Sequence, residues 1–97
     1  MKISDAKNIK MDHLWISNKT GSAVSISNCD SVLINNLNIL KTDNEKTPIV
    51  YTNVTNSSLT NLNILPEKLI EISGNSKNIQ LDKQIPENRI EYISTDN

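Results

Sequence analysis

The chain is nearly devoid of aromatic residues. Trp15, Tyr51 and Tyr92 are the only three, and phenylalanine is absent. Its hydrophobic content, 36%, therefore rests mostly on isoleucine, leucine and valine. Cysteine occurs once, at Cys29, which excludes an intrachain disulfide. Cys29 falls at a repeated inward position and reads as a small buried hydrophobe. No apolar run approaches the roughly 20 residues that span a bilayer. The N-terminus has no apolar stretch of the secretory type. Charge is balanced, at −1 net with a pI near 5.7. With no basic cluster or aromatic-interleaved basic stripe, nothing points to nucleic acid. Metal-ligand spacings, a phosphate loop and a nucleophile motif are all missing, so no cofactor is implied. Helical periodicity is absent as well; "PEKLIEI" is a fragment at most.

What the chain has instead is alternation. Short runs of isoleucine, leucine and valine alternate with polar residues, the pattern of strands with one buried face. Fifteen asparagines punctuate these runs. Asparagine favours turns and tolerates left-handed backbone geometry. With 97 residues, one domain spanning 1–97 is expected.

The runs form a repeat. Asn36-Leu37-Asn38-Ile39-Leu40 matches Asn61-Leu62-Asn63-Ile64-Leu65 at an offset of 25. The same frame pairs Ile34 with Leu59, Asn28 with Asn53, and Val24 and Ile26 with Ile49 and Tyr51. Toward the N-terminus the offset is 23. Ile39, Leu37, Ile34 and Val32 pair with Ile16, Leu14, Met11 and Ile9, and Ile26 and Val24 with Ile3 and Met1. Toward the C-terminus, Ile49 and Tyr51 pair with Ile70 and Ile72 at 21, and Leu59 pairs with Leu81 at 22. Each rung holds three short strands and three bends, so one repeat closes one coil. Stacked coils would pair as parallel strands about 4.8 Å apart, each burying its neighbour's apolar face. The fold expected is all-β: a right-handed single-stranded parallel β-helix of about four coils, with 1–82 regular and 83–97 a terminal strand or cap. Ile90 and Tyr92 or Ile93 would start the last partial turn. Repeat length alone also permits a leucine-rich repeat, but "SVLINNLNIL" matches that consensus only in part. An ordinary sandwich is the other alternative.

Candidate sites follow from the frame. Asn28, Asn53 and Gly74 share one turn position, which predicts positive φ there and stacked asparagine side chains. Asn36 and Asn61 share a second corner, with His13 in the rung before and Asn35 beside it. The turn position of Asn53 predicts poor exposure. Asp12 is placed to pair with Lys10 or to face solvent. Sequons occur at Asn18, Asn53 and Asn56. Length variation concentrates at one corner, in the segments 17–22, 40–47, 66–68 and 83–88. Variable loops on one side of a solenoid are often its binding face. Trp15 aligns with Asn38 and Asn63 and should project outward beside those loops. Together with Lys41 and Asp43 it is the candidate glycan contact. Asp12, Asp30, Asp43, Glu45 and Glu67 do not reach matching outward positions on adjacent rungs. They therefore offer no carboxylate pair for glycoside hydrolysis.

The stretch "KNIKMDHLWISNKTGSAVSISNCDSVLINNLNIL" is similar to the late coils of pectin-lyase-like right-handed β-helices. It most resembles the carboxyl-terminal part of polygalacturonase-like glycoside hydrolases. The resemblance covers residues 1 to 82 and implies a secreted or cell-envelope protein that contacts polysaccharide. That family's catalytic Asn-Thr-Asp, Asp-Asp, Gly-His-Gly and Arg-Ile-Lys motifs are missing. Thr-Asp-Asn at 42–44 has the wrong order, and Arg-Ile-Glu at 89–91 puts an acid in place of the lysine. No catalytic residue carries over. Three functions are in view: a non-catalytic β-helix segment of a polysaccharide-processing protein, a structural or self-associating solenoid module, and a polysaccharide hydrolase or lyase acting on acidic glycans. Met1 and Ile3 align with the middle of a coil. The frame therefore predicts an apolar first rung, covered by upstream coils or by end-to-end homo-oligomerisation.

Overall fold

A computed structural model describes residues 1–17, 21–41, 47–63, 69–82, 85 and 87–93. They form a right-handed parallel β-solenoid of a few coils. The strands are β1 (Lys2–Ser4), β2 (Lys7–Ser17), β3 (Val24–Lys41), β4 (Ile49–Leu62), β5 (Ile70–Ser73), β6 (Lys77–Leu81) and β7 (Ile90–Ile93), with a 3-10 turn at Glu87–Arg89. All pairings between them are parallel. The strand order is β1-β3-β4-β5-β7, with β2 on β3 and β6 on β4.

The register is the one the sequence frame predicts. Ile3 lies beside Ile26, and Ile9, Met11, Leu14 and Ile16 lie beside Val32, Ile34, Leu37 and Ile39. Val24 and Ile26 then meet Ile49 and Tyr51, and these meet Ile70 and Ile72. Ile90 and Tyr92 continue the row on β5. The reason is the period of two along each strand. A slip of one residue would turn every apolar side chain outward, so the alternation fixes the register.

The middle coils carry the core. Val24, Ile26, Val32, Leu37, Ile49, Tyr51, Val54, Leu59, Leu69 and Ile70 are fully buried. Each such side chain contributes about 1.5–3 kcal/mol relative to exposure. Cys29 is buried among them, and its thiol donates to the Ser27 carbonyl at 3.1 Å. Ser57 interrupts the apolar row between Val32 and Ile79. Its Oγ accepts from the Val32 N–H at 3.0 Å and donates to the Thr55 carbonyl at 2.9 Å, so the buried hydroxyl is satisfied. Ser76 does the same one coil on, between the Val54 N–H and the Ser73 carbonyl.

The coil turns without losing its pairing. The turn position of Asn28 lies inside continuous β3 rather than between separate strands. A single residue in the left-handed region makes the bend, and its neighbours stay extended and paired. Three such columns run through the stack. Asp5, Asn28, Asn53 and Gly74 form the first, Asn8, Ser31, Asn56 and Asn78 the second, and His13, Asn36 and Asn61 the third. Gly74 has a further constraint. A Cβ placed there would collide with the Asn53 Oδ1, which accepts from the Asn75 N–H at 2.8 Å.

Two stability predictions follow. Gly74→Ala should cost more than about 1 kcal/mol, because it combines a strained φ with a clash against Asn53; urea unfolding measures it. Tyr51 is buried in the core, and its hydroxyl has no hydrogen-bond partner among the described residues. Tyr51→Phe should leave stability unchanged or raise it by up to roughly 1–3 kcal/mol, the cost of an unmet buried polar group. A clear loss on the same curve would show that the hydroxyl is used.

Candidate functional site: the polar ladder and the end rungs

Two features of the surface are built by the stacking itself. The first is a ladder of polar side chains along the corners. Asn53 donates through Nδ2 to Asn28 Oδ1 at 3.0 Å, and Asn78 donates to Asn56 Oδ1 at 2.7 Å. Asn61 donates to Asn35 Oδ1 at 2.6 Å, and the Thr60 hydroxyl donates to the same oxygen at 2.8 Å. Corner residues one coil apart are near enough for their side chains to meet, so identical corners produce a ladder. Asn53 is exposed, contrary to the expectation drawn from its turn position. The corner projects its side chain along the outside of the stack, where the amide bonds to its neighbour above and below.

Two aspartates anchor this ladder. Asp30 Oδ1 accepts from the Thr55 hydroxyl at 2.7 Å and from Asn56 Nδ2 at 2.9 Å. Those bonds hold its carboxyl below the usual aspartate range, with Ser31 and the charge of Lys7 adding to the effect. Asp12 Oδ1 accepts from Asn36 Nδ2 at 2.9 Å and Asn35 Nδ2 at 3.2 Å, and His13 Nδ1 lies 3.2 Å away. Asp12 is lowered too, first by the Asn36 bond. It therefore joins the corner of the next coil rather than pairing with Lys10. This ladder is internal cohesion. Its acceptors are occupied by neighbouring coils, and among the described residues no three His, Cys, Asp or Glu side chains converge as metal ligands.

The second feature is the pair of end rungs. In the first coil, Met1, Ile3, Ala6, Ile9, Met11, Leu14 and Ile16 are packed on the core from one side only and stay partly exposed. Their equivalents one coil on are buried. β1 ends the strand order and β2 pairs with β3 alone, so both offer a free backbone edge among the described residues. At the other end, β7 lies on β5, and Ile79 and Leu81 of β6 remain half-buried. Tyr92 is 68% exposed and Ile93 39%.

The candidate glycan residues divide. Trp15 points outward from β2, 68% exposed, beside Asn38 in register. Lys41 ends β3 opposite Ser17. Asp43 lies outside the described residues, as do most of the variable loops and Asn18. Of that set, Trp15 alone has a described side chain. The column of Asn8, Ser31, Asn56 and Asn78 was not recognised as a corner in the sequence. The same offsets of the repeat point to it, but Ser31 breaks the run of asparagines.

The lowered carboxylates give the ladder a pH dependence with a definite sign. Both prefer the charged form when folded, so their contribution is complete above the unfolded pKa. It is lost as pH falls through the depressed folded values. Unfolding free energy should be flat near neutrality and decline below about pH 4. Asp30→Asn should flatten that decline in denaturant curves recorded across the acid range.

In comparisons with known proteins, no family model, no curated protein and no solved structure matches this chain.

Proposed function

We propose that this chain is a structural β-solenoid module that associates through its end rungs with further β-solenoid coils, its own copies included. The observation that carries the reading is the half-covered apolar row of the first coil, together with the edges of β1 and β2 that stay unpaired among the described residues. Unpaired N–H and C=O groups beside exposed isoleucine and leucine form a template for another strand. Closing such a face gains both the ladder hydrogen bonds and the burial that the middle coils already enjoy. Sedimentation velocity from low to high micromolar concentration tests this. The expected result is a mass that rises with concentration and falls back in Met11→Glu, with circular dichroism checking that the variant keeps its β signal. A constant monomer mass over the whole range would end the proposal.

A second reading rests on Trp15. An indole this exposed on a flat polar strand face suits stacking against a sugar ring, in line with the likeness of the coil pattern to polysaccharide-processing β-helices. That reading also carries the extracellular setting the likeness implies. Isothermal titration with an acidic polysaccharide decides it. Heat that disappears in Trp15→Ala supports glycan contact, and flat traces for both proteins remove it.

A further inference from the structure

The two ends of the stack are not equally open. In the first coil, β1 and β2 each have one edge unpaired among the described residues, whereas at the opposite end β5 already carries β7. A contact that uses the first-coil face twice needs no strand displaced. Such a contact is isologous: a two-fold axis reverses the strand direction, so β2 would meet β2 of a second copy antiparallel.

The side chains of β2 select one register for that meeting. Ile9, Lys10, Met11 and Asp12 make up one face of the coil, between the Asn8 and His13 corners. Ile9 and Met11 are half-buried against the core, and Lys10 and Asp12 are exposed on the outer side. An axis passing between two residues sets inward side chains against outward ones, for example Lys10 beside Met11, and so breaks the apolar row. An axis through a residue keeps the phase. Through Lys10 or Asp12, it sets a charge directly against its own copy, which is destabilising. Through Ile9, it puts Lys10 beside Asn8. Through Met11, it puts Lys10 of each copy opposite Asp12 of the other, two opposite-charge pairs around one apolar centre. Ile9 then falls beside the His13 corner. Asp12 remains available for this pairing. Asn35 and Asn36 of the next coil bond its Oδ1, which leaves Oδ2 for the incoming ammonium.

We propose that two copies of this chain join head-to-head through β2, about a two-fold axis at Met11, with Lys10 of each copy paired to Asp12 of the other. The contact extends the sheet across the joint and covers the Ile9 and Met11 row of both first coils. Because it is isologous it closes at two copies, where a head-to-tail contact would propagate. The inference rests on the association through end rungs proposed above and adds the edge, the register and the closure.

Full-length variants test it, with circular dichroism as the check on folding. In sedimentation the wild-type mass should level off at two copies. Lys10→Glu turns both opposite-charge pairs into like-charge ones and should weaken the dimer roughly two- to thirty-fold. Met11→Cys places a thiol beside its own copy. Residues directly opposite in an antiparallel pair lie about 4.5–5.5 Å apart at Cα, within disulfide reach. Mild oxidation should therefore link Met11→Cys protein to itself, with the bridge located by peptide mass spectrometry. Ile9→Cys, on the same row but off the axis, should not link. A mass that keeps growing past two copies, a dimer that Met11→Cys fails to link, or one that Lys10→Glu leaves as tight overturns the two-fold joint and leaves self-association standing. A constant monomer mass in the wild type overturns both.

Discussion

Each coil has to bend sharply and still hand the next coil a straight edge to pair with. A bend made by a loop of several residues would break the ladder and let the register drift. The chain meets this constraint with single residues in the left-handed region, stacked in three columns. Such a conformation strains most side chains and suits asparagine and glycine. The requirement explains the abundance of asparagine and the placement of Gly74. It also explains why β3 and β4 run unbroken through their corners. The inward rows stay aligned because the corners stay aligned.

The corner side chains then acquire a second use. Placed one above another, they bond across coils, and Asp12 and Asp30 close the ladder with charge-assisted hydrogen bonds. Such bonds are stronger than neutral ones. Their geometry also accounts for the depressed carboxylates without any catalytic role. Of the acidic groups dispersed along the sequence, Asp12 and Asp30 prove to be structural anchors, each held by side chains of the next coil.

A solenoid has no way to bury its terminal faces with the coils it has. The middle rows are sealed, while among the described residues those of the first row and of the β6–β7 end are only partly buried. That asymmetry is what the proposed association through end rungs rests on. Trp15, standing off the side of the stack, is a large exposed aromatic surface that the stacking of coils does not account for.

The sequence by itself determined the repeat, the register and the inward rows. These depend on a period of two and on offsets that any reader of residues 1–81 can align. It also determined that Asn28, Asn53 and Gly74 are equivalent, since a glycine replacing asparagine marks a backbone demand. The corner at Asn8, Ser31, Asn56 and Asn78 was hidden because Ser31 carries no turn signature of its own. Only the tertiary structure decided the partners of Asp12 and Asp30, the exposure of Asn53 and the choice of Tyr92 over Ile93 beside Ile72. Those depend on which side chains from different coils come within hydrogen-bonding distance. A linear pattern names the columns, but contact across 20 to 25 residues of intervening chain exists only once the coils are stacked.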